Sequence, residues 1–128
     1  MDKTERYERG LAKLKEIYGE QAQVLVTALA EVTPDLSRYV VEFAFGDIHC
    51  RTGLTVKSRE IATLAALTAL GNAPSQLRAH IHAALHVGCT QQEVVEVILQ
   101  MALYAGFPAT INAMQAAKEV FVERSRTK

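Results

Sequence analysis

The sequence predicts an all-α fold, a single-domain helical bundle of about six to seven helices over residues 1–128. Three observations carry that expectation. Apolar residues recur three and four positions apart along most of the chain, which is the spacing of one helix face. No alternating apolar run is bounded by turn signals on both sides, so strands have no evident place. Nineteen alanines stand against three prolines and seven glycines, so helices can run long and approach one another closely.

The first helix is expected from about Thr4 to Tyr18, with Tyr7, Leu11, Leu14 and Ile17 at helical spacing and Gly19 as its stop. A second runs from Gln21 to about Val32 and places Val24, Leu25, Ala28 and Leu29 on one face. Thr33-Pro34-Asp35 then combines an N-cap, a proline at the first helical position and an acid at the positive dipole end. The helix it opens carries Leu36, Tyr39, Val40, Phe43 and Phe45 and ends near Gly46-Asp47. Ile48 to Leu54 reads as a loop. Thr55 caps the next helix, which reaches Leu70 and stops at Gly71. Another starts near Asn72-Ala73-Pro74 and ends at Gly88. Thr90-Gln91-Gln92-Glu93 is a capping box, opening a helix to about Ala105. Pro108 begins the last one, which ends in the polar tail Glu123 to Lys128.

Fourteen basic and fourteen acidic residues cancel. A chain without basic excess is a poor match for nucleic acid or an anionic membrane surface. The charged start, MDKTERYERG, holds no apolar core of a secretory signal, so a soluble, cytoplasmic protein is expected. Two stretches, Ile61 to Leu77 and Val97 to Ala117, carry no charged residue. The second is interrupted by Gln100, Asn112, Gln115 and Gly106-Phe107-Pro108, so it reads as two buried helices around a turn, not as a membrane span. Helices without a polar face need cover on every side. A chain this short can hardly supply that twice, so burial in a subunit interface as well as in the core is expected.

Histidine is the side chain that titrates near neutral pH unaided. His49 falls in the predicted loop, and His80, His82 and His86 share one helix. His82 and His86 stand at i and i+4, but no third ligand follows at a suitable spacing, so no metal is expected. These two read as helix-surface residues. His80 is one turn from Leu77 and Ala84, which turns it toward the interior, where a histidine needs a partner to fix its tautomer. Glu60, at the start of the first uncharged stretch, is the best choice. Arg51, Arg59 and Arg78 are the nearby cations, suited to carboxylates. Cys50 has His49 and Arg51 as electropositive neighbours, whereas Cys89 looks like ordinary loop filler. No CxxC, phosphate-binding glycine loop or dinucleotide fingerprint occurs, and no cofactor is expected.

At these residues the sequence resembles the carboxymuconolactone decarboxylase family, within the alkylhydroperoxidase-D-like superfamily. The likeness runs over most of the chain: Arg6 to Leu11, Pro34-Asp35-Leu36, Glu42 to Asp47, Arg51 to Leu54, Ser58-Arg59-Glu60, Gln76 to His80, Gly88 to Glu93 and Val97 to Ala113, with Tyr104-Ala105-Gly106-Phe107-Pro108. The resemblance implies an all-helical fold and a ring-like homo-oligomer, a trimer or a hexamer. In the peroxidase branch a glutamate precedes a CxxC and a histidine. Glu60 and His80 match the glutamate and the histidine, but Asn72 to Ala79 contains no cysteine, which speaks against peroxidase activity.

The decarboxylase branch implies a small carboxylated lactone as substrate, in the breakdown of aromatic compounds, and no cofactor. On that resemblance His80 protonates the substrate and Glu60 orients His80, while Arg51, His82 and Tyr104 bind substrate. His82 stands where relatives commonly carry an arginine, which points to a different or smaller acid. Two other classes stay open: a thiol-dependent antioxidant protein using Cys50, and a non-catalytic homo-oligomeric ligand-binding protein.

Overall fold

In a computed structural model, which describes residues 4–126, every regular element among the described residues is helical. The elements are α1 (Glu5–Tyr18), α2 (Gln21–Val32), α3 (Pro34–Tyr39), a π-helix (Val40–His49), α4 (Val56–Leu70), α5 (Pro74–His86), α6 (Gln91–Gln100), α7 (Ala102–Ala105) and α8 (Phe107–Arg126). No helix among the described residues is long and apolar enough to cross a membrane. The chain forms two compact units, Met1–Val56 and Lys57–Lys128.

In the first unit, Thr4 caps α1 by accepting from the Tyr7 amide, and its hydroxyl donates to Oε2 of the buried Glu42 at 2.7 Å. Tyr7, Leu14, Ile17, Val41 and Phe45 form the apolar interior. Gly19, at φ 64°, ends α1 as expected. Thr33 and Pro34 start α3 as predicted. Apart from Phe45, which is buried as predicted, the faces that α2, α3 and the π-helix bury are not the predicted ones. In α2, Ala22 and Val26 are buried while Val24 and Ala28 lie exposed. Beyond Tyr39 the helix widens to π winding, so Val41, Glu42, Phe45 and Gly46 turn inward and Leu36, Tyr39 and Phe43 outward.

The cause is a backbone contact. A Cβ on Gly10 would lie 1.9 Å from the Val41 carbonyl oxygen, and one on Gly46 would lie 2.7 Å from that of Arg6. Close approach of two glycine faces decides the register, and the larger apolar groups follow it. Arg6 clasps Asp47 with Nε and Nη2, and Arg9 Nε donates to the Gly46 carbonyl at 2.9 Å. Arg6 in turn holds the Asp47 carboxyl below the usual carboxylate range, chiefly by hydrogen bonding. The π-helix runs through His49, so Ile48 and His49 are helical and the predicted loop is shorter at its start.

In the second unit, Leu64, Leu77, Ile81, Ala84, Cys89, Val94, Ile98, Ala113, Ala117 and Val120 make the core. Both halves of the capping box are present, Thr90 N to Glu93 Oε1 at 2.9 Å and Glu93 N to Thr90 Oγ1 at 3.0 Å. That bonding holds the Glu93 carboxyl below its ordinary range, and its other oxygen pairs with Lys57 at 3.1 Å. Cys89 is core, not loop filler: the turn between Gly88 and Thr90 folds its side chain inward. The helix expected to reach Ala105 breaks at Met101, leaving α7 as a single turn before Gly106 at φ 88°. Val97 to Ala117 is not buried throughout: Leu99, Leu103, Tyr104, Phe107 and Ile111 stand exposed, as does Leu70 on α4. The polar tail continues α8 to Arg126, and residues 127–128 lie outside those described.

Candidate functional site

The second unit brings together two of the residues singled out in the sequence. α4 buries the stripe Glu60, Leu64 and Thr68 at successive turns, so Glu60 is drawn into the interior by the apolar side chain that shares its face. Its side chain is 0% exposed and that of His80 13%. Nδ1 of His80 lies 2.9 Å from Oε2 of Glu60. An ionised carboxylate accepts only, so Nδ1 is the ring nitrogen that donates. A carboxylate on Nδ1 fixes the tautomer and supports the charge the ring acquires when it takes up a proton. The other oxygen, Oε1, is buried and accepts no hydrogen bond among the described residues. A carboxylate withdrawn from water with one oxygen unsatisfied is costly to keep, which marks the pair as a place where structure is held against stability.

The other candidates are placed differently. His82 sits on α5 but directs Nε2 to Oε2 of Glu123 on α8, 3.0 Å away. Arg78, one turn before it, pairs with Glu119 and Glu123. Arg51 belongs to the first unit, exposed on the segment after the π-helix. Tyr104 is 76% exposed on α7. His86 is exposed near the end of α5.

Sequence reasoning missed the ion-pair ladder between α5 and α8, though its signal exists as paired i, i+4 spacings in 78/82 and 119/123. Buried Glu42 was equally unforeseen. Its partners, Thr4 and Arg38, tie it to structure within the first unit.

The thiols differ in environment. Cys50 is partly exposed, with Sγ 3.9 Å from the Arg9 carbonyl oxygen. Burial pushes the Cys89 thiol above its ordinary pKa, with Glu93 adding to the effect, so it is held as the unreactive thiol. No group of three or more metal-ligating side chains occurs among the described residues.

Comparison with known proteins finds relatives over most of the chain. The carboxymuconolactone decarboxylase family profile matches residues 34–119. A 4-carboxymuconolactone decarboxylase from Acinetobacter baylyi is 37% identical over 122 residues, covering 94% of this chain and 90% of the relative. A nitrosuccinic acid decarboxylase from Metarhizium robertsii is 30% identical over 111 residues, covering 84% and 76%. An uncharacterised 15.0 kDa protein from Paracoccus denitrificans is 35% identical over 97 residues, covering 75% and 72%.

Proposed function

We propose, from the premise that the chain belongs to the carboxymuconolactone decarboxylase family, that residues 1–128 form one catalytic domain that decarboxylates a small carboxylated lactone or a related activated acid without a cofactor. The observation that carries this reading is the buried Glu60–His80 pair. It is a proton-handling device, and a proton is what this reaction needs the protein to supply.

In an unsaturated lactone with a carboxylate on the carbon beside the ring oxygen, the bond to that carboxylate breaks and carbon dioxide leaves. The electron pair moves through the ring double bond onto the lactone carbonyl, and the resulting dienolate takes a proton on a ring carbon. The substrate is its own electron sink. Nitrosuccinic acid, named for a second relative, carries a nitro group able to play the same part. In our reading His80 delivers the proton and Glu60 orients its ring. Tyr104 contributes to the substrate-binding surface. A well-aimed donor to a developing oxyanion lowers such a barrier by roughly 3–4 kcal/mol.

The test is an assay of carboxymuconolactone and nitrosuccinate, following loss of lactone absorbance and release of carbon dioxide. Turnover of either supports the reading, and inertness toward both overturns it. Cys50→Ser separates this reading from thiol chemistry. Decarboxylation is expected to stay within about twofold of the unmodified chain, since no thiol enters the steps above and a change at a partly exposed site costs little. A loss of more than tenfold would place the thiol in the mechanism.

The same reading includes assembly into a homo-oligomer, a trimer or a hexamer. Leu103 at 77%, Tyr104 at 76% and Phe107 at 73% exposure are large apolar groups on one short stretch, and patches of that kind mark interaction sites. Leu103→Glu is expected to shift the mass seen by light scattering to that of a single chain. A chain that is monomeric before substitution, or a mutant that assembles normally, refutes this part.

A further inference from the structure

The histidine expected to touch substrate, His82, is engaged elsewhere, and its engagement bears on His80. The apolar stripe of α5 consists of Leu77, Ile81 and Ala84. At 100° per residue, His80 lies on one flank of that stripe and Arg78 and His82 lie together on the other. On the first flank His80 Nδ1 meets Glu60 Oε2 at 2.9 Å. On the second, His82 Nε2 meets Glu123 Oε2 at 3.0 Å, and Arg78 pairs with Glu119 and with Glu123 at 3.4 Å. Glu119 and Glu123 are one turn apart on α8, so the contacts form two rungs of a ladder between the helices.

We infer that Arg78, His82, Glu119 and Glu123 are positioning residues, a ladder that fixes the rotation of α5 about its own axis and so sets the reach of His80 to Glu60. The inference rests on the proposed role of His80 in proton delivery.

The angle of α5 must be held finely. Its buried stripe sets large Leu77 and Ile81 beside small Ala84, in one core with Ala113 and Ala117 of α8. The alanines offer only shallow ridges and grooves, so from packing the angle is held by two side chains, Leu77 and Ile81. Side-chain atoms stand about 5–6 Å from a helix axis, so a turn of roughly 5° displaces the imidazole by about 0.5 Å. That displacement is about the whole tolerance of a working catalytic geometry. A ladder of long side chains, anchored on a second helix, opposes such a turn. Each contact is partly exposed and contributes little to stability alone; holding an angle needs only direction.

The test measures His80 directly, in the full chain. Imidazole NMR reports the strength of the Nδ1 hydrogen bond through the Nδ1 proton and nitrogen shifts, and steady-state kinetics report kcat and KM. In Glu123→Ala both rungs lose an acceptor. The expected result is an upfield move of the Nδ1 proton and a kcat about tenfold lower at unchanged KM, as a half-ångström misplacement implies. Glu123→Gln keeps an oxygen that accepts from His82 and lacks the charge. It is expected to restore both readouts, which separates position from electrostatic influence on His80. Arg78→Gln, weakening the other rung from the α5 side, is expected to produce a smaller change of the same sign. It also serves if Glu123→Ala fails to fold. An unmoved Nδ1 signal in Glu123→Ala and Arg78→Gln overturns the inference, as does a Glu123→Gln chain that behaves like the alanine variant. The NMR result stands even if the chain decarboxylates neither substrate, so failure of the ladder and failure of the proposed function are told apart.

Discussion

Replacing His80 by Gln is expected to lower decarboxylation by about 10²–10⁴-fold, the usual contribution of a positioned general acid, with the fold intact. The choice of glutamine matters. His80 is the hydrogen-bonding partner of a carboxylate that is 0% exposed, and deleting such a partner leaves a buried charge unpaired, at a cost of about 3–5 kcal/mol. His80→Ala would therefore confuse loss of chemistry with loss of structure. The glutamine amide is of similar reach and still donates to Glu60, but it has no proton to give up near neutral pH. Initial rates on whichever substrate is turned over, together with a thermal melt by circular dichroism, check both halves. Unchanged turnover removes His80 from the mechanism. A collapsed melt would show that the pair is structural first.

The parts of this fold that were legible in the sequence are those whose cause is local. Thr4, Thr33-Pro34 and the Thr90–Glu93 box announce helix starts because their side chains bond to amides three residues away. Gly19, Gly71 and Gly88 announce helix ends because they adopt positive φ. What could not be read depends on residues distant in the chain. The π winding of Val40–His49 and the face it buries follow from a contact with Gly10, and a helical wheel of residues 34–47 alone favours the aromatic face instead. The candidate site divides the same way. His80 and Glu60 were found through burial and resemblance, and the structure joins them. The partner of His82 lies 41 residues away on α8, and spacing within α5 cannot show it. Arg51 was singled out as a loop arginine beside a helix start, suited to a carboxylate, and it belongs to the first unit.

Gly10→Ala is expected to destabilise the chain by at least about 3 kcal/mol, the upper range for forcing extra volume into a packed interior. Alanine is the better helix former by about 1 kcal/mol, and α1 is otherwise an ordinary helix, so propensity alone predicts stabilisation. The neighbours decide against it. The added Cβ would meet the Val41 carbonyl oxygen at 1.9 Å, its carbon at 2.8 Å and the Gly46 nitrogen at 3.0 Å. All three are backbone atoms, so no side chain can swing aside, and α1 must withdraw from the π-helix as a body. Withdrawal carries Arg6 away from Asp47, Arg9 from the Gly46 carbonyl and Thr4 from the buried Glu42. The last of these leaves a buried carboxylate short of a donor. At a few degrees of Tm per kcal/mol for a chain of this size, the melt should fall by roughly 10 °C or more. Gly53→Ala is the control: nothing lies within 4 Å of its added Cβ, and an exposed change of this kind stays within about 0.5 kcal/mol. If both variants melt alike, the glycine contact does not set the register of α1 against the π-helix, and the buried face of residues 41–46 must have another cause.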